Sequence, residues 1–163
     1  MAAVLPSLAV TTERLDAEVL ARTVSDAAEG ALGAIVTFAG IVRGENAGRH
    51  VLFLEYEGYE PLAVRAFALI AREVSARWTG TRLGIHHRLG RLSIGDTSIV
   101  IVAASAHRAE AYAACRYAIE RVKQIAPVWK HEHFEGGEVW IEGATARPDD
   151  EAAQAEALRR ACV

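Results

Sequence analysis

The sequence predicts one mixed α+β domain spanning residues 1–163, and three observations carry that prediction. The chain has 163 residues with 52% hydrophobic content, enough for one sizeable core and too little for two. Stretches with helical periodicity alternate with short β-rich runs, and no long linker separates them. No internal repeat or low-complexity segment breaks the pattern.

Taken in order, a short strand over residues 8–10 precedes TTERLDAEVLARTVSD, where Leu15, Val19 and Val24 stand at helical spacing. GAIVTFAGIVR, residues 33–43, is almost continuously apolar and reads as a buried strand, with Arg43 at its exit into the polar loop GENAGR. HVLFLEYE resumes as a strand. Glu60 and Pro61 then open a helix reaching Trp78, since proline suits a first helical turn, with Leu62, Phe67, Ile70 and Val74 facing inward. RLGIHHRLGRL and TSIVIVAASA read as two strands of a hairpin joined through Ile94-Gly95-Asp96.

Residues 109–126 give the strongest helical pattern, with Tyr112, Cys115, Ile119, Val122 and Ala126 on one apolar stripe. Pro127 lacks an amide donor and disfavours helix at the residue before it, so the helix ends there. At about 100° per residue, Lys123 lies about 70° from the stripe's centre, on the border between core and solvent. Lys130 follows the break on the extended segment VWKHE. EVWIEG is a short strand, and PDDEAAQAEALRRA a closing helix with acidic residues first and arginines last, as the helix dipole favours.

Charge and composition exclude several classes. A formal net charge of −3 provides no overall basic field for nucleic acid or an anionic membrane. The N-terminal MAAVLPSLAV lacks the basic start and long apolar centre of a signal peptide. No apolar run approaches the roughly 20 residues of a membrane span, so the chain reads as soluble and cytoplasmic. Two cysteines, Cys115 and Cys162, are too few for a disulfide framework. Cys115 sits on an apolar stripe as a core residue, and Cys162 near the end of the last helix.

What remains is a set of cations from distant segments: Arg43 after one strand, His107 and Arg108 after another, Lys123 near a helix end, and Lys130 beyond a proline. No carboxylate pair and no Ser-His-Asp pattern competes with them. Arginines hold phosphate in fork geometry, and a partly desolvated lysine serves acid–base chemistry, so the set suits a doubly anionic reaction centre. The plainer alternative stays open, because solvated surface charge is common and a lysine near a helix C-terminus is favoured by the dipole alone. Trp129 reads as a packing or interface aromatic. No metal is expected: the HxH pair His131 and His133 and the HH pair His86 and His87 are read as lying on differing or solvated faces without a third ligand.

Five blocks in order, GAIVTFAGIVR, LEYEGYEPLA, IHHRLGRLSIGD, SAHRAEAY and VKQIAPVWKHE followed by GGEVWIE, resemble the successive blocks of the molybdopterin synthase large subunit. The resemblance covers roughly residues 30–142, and five ordered blocks are far more specific than one short motif. It implies an α/β hammerhead fold with an additional small β-rich subdomain. It further implies a homodimer within a heterotetramer, with a small ubiquitin-like sulfur-carrier subunit ending in Gly-Gly docked at each end. The implied reaction moves sulfur from the carrier's C-terminal thiocarboxylate to cyclic pyranopterin monophosphate and makes the dithiolene of molybdopterin, with no resident cofactor.

Residue by residue, the family's HR pair matches His107 and Arg108, its strand-exit arginine Arg43, its site lysines Lys123 and Lys130, and its pocket aromatic Phe38. The implied roles are phosphate binding by Arg43, His107 and Arg108, contact with the thiocarboxylate by Lys123, and proton transfer by Lys130. Two positions depart from the family. His131 stands where a second lysine or arginine commonly follows the WK pair. An arginine that the family carries soon after the WIE-like strand, reaching across the dimer, is absent at Gly143 and Ala144, with Arg147 as a substitute slightly later. The one Gly-Gly, Gly136-Gly137, is internal, so the carrier is expected as a separate polypeptide. A noncatalytic anion-binding module and a module that binds ubiquitin-like tails are the competing readings.

Overall fold

The computed structural model describes residues 5–26, 28, 30–141 and 143–162. Its first half runs β1 (Leu8–Thr11), α1 (Ala17–Ser25), β2 (Ala34–Ile41), β3 (Glu45–Asn46), β4 (Arg49–Gly58), α2 (Glu60–Arg77) and β5 (Arg82–Arg88). Its second half runs β6 (Gly90–Ser93), β7 (Thr97–Ser105), α3 (Arg108–Ile125), β8 (Val128–Phe134), β9 (Gly137–Ile141) and α4 (Glu151–Ala161).

Local chemistry sets the helix ends. The Asp16 carboxylate accepts from the amides of Glu18 and Val19, so α1 starts later than the residue-11 start read from periodicity. Pro61 occupies the first turn of α2. Helix α3 stops at Ala126, whose extended backbone (φ −73°, ψ 125°) is what a following proline demands. Asp150 caps α4 through the amide of Ala153.

Two sheets share the strands. The first has the order β1-β5-β7-β2, with β1 parallel to β5 and the other pairs antiparallel. Alternation along β7 sends Val100, Val102 and Ala104 against Leu20 and Val24 of α1. It sends Ile99, Ile101 and Ala103 into the main core with Phe67, Ile70 and Val74 of α2 and Ala114, Cys115 and Ala118 of α3. Helix α4 joins the same core through Ala157. The second sheet has the order β3-β4-β8-β9, with β6 also paired to β4.

Several expectations need correction. The single strand read over residues 82–92 is divided: at Gly90, with φ +86°, the chain leaves the first sheet, and β6 pairs with β4 in the second. The turn through Ile94-Gly95-Asp96 therefore joins strands of two sheets. GENAGR is not an open loop but the β3–β4 hairpin, turning at Ala47 and Gly48 with φ +50° and +75°. Strand β2, expected buried, is the edge of its sheet and exposes Ile35, Phe38 and Ile41. Tyr112 and Leu62, placed inward by periodicity, are 66% and 47% exposed. The buried side of α3 instead carries small residues, Ala111, Ala114 and Ala118, which let the helix lie close to the sheet and α2.

Candidate active site

A cavity of about 450 Å³ opens where the two sheets meet the C-terminal end of α3. Strand β2 contributes Phe38 and, just past its end, Arg43; β4 contributes Leu54 and Tyr56; α3 contributes Ile119 and Lys123; β8 contributes Lys130 and Glu132. Pro127 is the reason these meet. By ending α3 it releases the chain into β8, whose pairing with β4 sets Lys130 opposite Tyr56 and Glu132 opposite Leu54. Lys130 and Glu132, two apart on a strand, share one face.

Glu132 is the fixed charge of the cavity. It is 1% exposed and accepts hydrogen bonds from Asn46 Nδ2 (2.8 Å) and from Arg49 Nη2 (2.8 Å) and Nε (3.2 Å). Burial by itself would raise its pKa, but the bonds from Arg49 and Asn46 and the charges of Arg49 and Lys130 prevail and hold it below the ordinary value. Lys130 goes the other way. Burial lowers its pKa, Glu132 opposes that, and the nearby charges of Arg43, Lys123 and Arg49 lower it further. A lysine so placed gives up its proton more readily than one in water. Arg43 makes a long bond to Asn46 Oδ1 (3.4 Å), which leaves most of its donors for a ligand.

Of the residues singled out in the sequence, Phe38, Arg43, Lys123 and Lys130 come together in this cavity. His107 and Arg108 do not. In the antiparallel β2–β7 pair, Ser105 lies opposite Ala34 and Thr97 opposite Ile41. The exit of β7 is thus at the far end of the sheet from the exit of β2, roughly 24 Å away at about 3.4 Å per residue. Along α3, Arg108 and Lys123 are about 22 Å apart. Within one chain, then, Arg43, Lys123 and Lys130 meet, and His107 and Arg108 lie elsewhere. Arg147 also stays outside the cavity, fully exposed and paired with Asp149 at 2.8 Å. Gly143 lies on the cavity wall with space for no side chain: a Cβ there would sit 2.0 Å from the carbonyl oxygen of Val128.

The sequence reading missed Glu132, Arg49, Asn46, Tyr56 and His87. The Lys130-x-Glu132 spacing on a strand was the available signal for the first. Asn46 and Arg49 gave none, because their approach depends on the β3–β4 hairpin. His87 also lines the cavity, and burial pushes its pKa down to about 4, so it is neutral near pH 7. Burial pushes the Cys115 thiol up to about 11, so it is no nucleophile. The histidine expectation is corrected in part. His86 and His87 diverge, to the carbonyls of Pro6 and Arg88. His131 and His133, however, share a face of β8, and Glu55 stands beside both.

Comparison with known proteins agrees with this architecture. The family model described as MoaE protein matches residues 10–125, a span that includes Arg43, His107, Arg108 and Lys123 and ends before Lys130. A protein of Halalkalibacterium halodurans named molybdopterin synthase catalytic subunit is 49% identical over 109 residues, 67% of this chain and 70% of that protein. One of the same name from Nostoc is 42% identical over 137 residues, 83% of this chain and 81% of that protein. A crystal structure of molybdopterin synthase from Staphylococcus aureus superposes with a TM-score of 0.78 at 37% identity, covering 84% of this chain and 98% of that one. A complex of subunits 1 and 2 of the molybdopterin-converting factor from Helicobacter pylori superposes with a TM-score of 0.70 at 26% identity, covering 90% and 98%. With more than half its length matched by the family model and its α+β fold shared with these structures, the chain belongs to the MoaE protein family.

Proposed function

We propose that this chain is the catalytic subunit of a molybdopterin synthase, moving sulfur from the C-terminal thiocarboxylate of a small ubiquitin-like carrier to cyclic pyranopterin monophosphate. The observation that carries the reading is the meeting of Arg43, Lys123 and Lys130 with Phe38 in one cavity, beside a carboxylate anchored on the protein. Both reactants are anions, and the cavity offers cations from three elements. The nucleophilic sulfur arrives on the carrier's tail, so the chain needs no reactive cysteine of its own. In this assignment Lys123 meets the thiocarboxylate, Arg43 holds phosphate, and Lys130 moves protons, its lowered pKa suiting it to exchange them.

His107 and Arg108 enter the proposal through a second copy. They are too far from their own cavity, and in a homodimer the HR pair of one chain reaches the cavity of the other. Arg147 is assigned to the same junction between chains. The apolar side chains Ile35 and Ile41 exposed beside Phe38 on the edge strand β2 support coverage of this region by another chain. A carrier at each end completes a heterotetramer, a reading supported by the two-subunit complex named for the Helicobacter pylori protein.

The test is reconstitution. Purified chain, thiocarboxylated carrier and cyclic pyranopterin monophosphate are mixed, and dithiolene product is followed by mass spectrometry. The wild-type chain is expected to form product, and Lys123→Ala and Lys130→Ala to lose about 100-fold or more in rate while remaining folded. Full turnover in both variants would refute the assignment, and binding of carrier or precursor without product would mark a binding module instead.

A further inference from the structure

Strand β8 has a second face, turned away from the cavity, and the strand register arranges it as a small grid. Across from His131 stand Glu55 on β4 and Trp140 on β9. Across from His133 stand Phe53 on β4 and Glu138 on β9. The two imidazoles are thus neighbours on one strand, with a carboxylate and an aromatic ring on each flank, in opposite order.

The distances follow from that grid. Glu55 Oε2 lies 2.7 Å from His133 Nε2 and 3.7 Å from His131 Nδ1. Glu138 Oε2 lies 3.4 Å from the other nitrogen of each ring, His131 Nε2 and His133 Nδ1. Trp140 stacks on His131 with centroids 4.2 Å apart, and Phe53 stacks on His133 at 4.2 Å. The guanidinium of Arg91 covers the far side of Phe53 at 3.7 Å. The histidine rings themselves are 4.1 Å apart, and their side chains are only 13% and 19% exposed.

Hydrogen bonding serves the two imidazoles unequally: His133 Nε2 is bonded to Glu55 Oε2 at 2.7 Å. His131 Nε2 is buried and makes no hydrogen bond, although Glu138 is near. One ligand atom from each of Glu55, His131 and His133 falls within 4.8 Å of the others. An ion with bonds of about 2.0–2.1 Å needs such atoms about 3.3 Å apart, so to take one the Glu55–His131 separation of 3.7 Å shortens and the Glu55–His133 separation of 2.7 Å lengthens. Two imidazole nitrogens and a carboxylate oxygen suit borderline divalent ions, and the aromatic walls lower the local dielectric.

We propose that Glu55, His131 and His133 form a binding site for a divalent transition-metal ion of the zinc class, with Glu138 accepting from the ring nitrogens turned away from the ion. Binding to Nδ1 of His131 and Nε2 of His133 places the N–H of each ring toward Glu138, which gives the buried Nε2 of His131 its missing acceptor. The ion ties β4 to β8 on the face behind Tyr56, Lys130 and Glu132. Its role is structural, and the proposal does not depend on the sulfur-transfer reading.

Titration of the full chain with Co²⁺, followed by visible absorption, tests this directly, and competition between the chain and a chromophoric chelator then gives the Zn²⁺ affinity. One equivalent per chain with the intense d–d bands of low-coordinate cobalt is expected, together with a rise in the thermal midpoint on adding Zn²⁺. His131→Ala/His133→Ala, checked for folding by circular dichroism, is expected to lose both effects. Glu138→Gln is expected to weaken binding by about 10- to 100-fold, and Cys162→Ser to leave it unchanged. A wild-type chain that binds neither ion, or a double-histidine variant that binds as well as wild type, overturns the proposal.

Discussion

The two ends of α3 both carry cations and hold them in different ways. Near the C-terminal end, Arg121 and Lys123 are two residues apart. Arg121 is fully buried and donates to Glu73 through Nε (2.9 Å) and Nη2 (2.8 Å), to Gln124 (3.0 Å) and to the carbonyl of Pro148 (3.2 Å). It fastens α3 to α2 and to the segment leading into α4. Lys123 faces the cavity. At the N-terminal end, His107 and Arg108 are exposed, and their side chains make no hydrogen bond or ion pair among the described residues. The set of partners, and not the position in the sequence, separates a cation that builds the fold from one left for a ligand or another chain.

The largest expected effect comes from breaking the structural cation. Arg121→Ala leaves Glu73 without its ion-pair partner, with the Tyr117 hydroxyl (2.8 Å) still donating to it, and should cost about 3–5 kcal/mol, read by urea unfolding. Replacing both partners, Arg121→Met with Glu73→Leu, should return most of that loss. A merely surface-bound Arg121 would show neither effect.

Acid should weaken the cavity wall by a little less. His87 is neutral in the fold with a pKa of about 4, against 6.5 in the unfolded chain. As pH falls from 6.5 to 4 the unfolded state takes up the proton first, so stability falls through that window, by about 3 kcal/mol in all. Glu132 adds a smaller loss at lower pH. Its folded pKa is depressed, so its contribution is full above 4.5 and disappears as pH drops through the folded value. Unfolding curves for His87→Phe should be flatter between pH 6.5 and 4 than those of wild type.

Next come the cations that face the cavity. Lys123→Ala should reduce turnover by about 100-fold, near 2.7 kcal/mol of barrier, while changing stability by no more than about 0.5 kcal/mol. A loss of stability equal to that at Arg121 would erase the contrast between them. The smallest effect is expected in the pH profile of Glu132→Gln. The carboxylate raises the pKa of Lys130, so its removal should shift the basic limb of the rate profile to lower pH. An unmoved limb would detach Lys130 from proton transfer.

Much of this was legible in the sequence, for definable reasons. Helix α3 and its end at Pro127 followed from periodicity and from proline's missing donor, and the pairing of Lys123 with Lys130 followed from the family resemblance. What was illegible depended on pairing between distant strands. Periodicity cannot show that residues 82–92 divide between two sheets, that GENAGR folds back as a hairpin delivering Asn46 and Arg49 to Glu132, or that β2 is an edge. Nor can it show that Arg43 and His107, each following a strand, emerge at opposite ends of one antiparallel sheet. Tyr112 was misplaced because an apolar stripe was centred on its larger members, whereas alanines form the contact face. The histidine grid needed the β4–β8–β9 register, which sets Glu55 and Glu138 on the two sides of HEH.

The central claim is that one reaction site is assembled from two chains, lysines and Arg43 from one and the His107-Arg108 pair from the other. Mixing tests it most directly. A Lys123→Ala/Lys130→Ala chain and a His107→Ala/Arg108→Ala chain, each inactive alone, are allowed to exchange subunits and are assayed with thiocarboxylated carrier and precursor. Random exchange gives mixed dimers with one intact site each, so activity should recover to about a quarter of wild type. A mixture no more active than its components, with mixed dimers present by native mass spectrometry, would contradict the account.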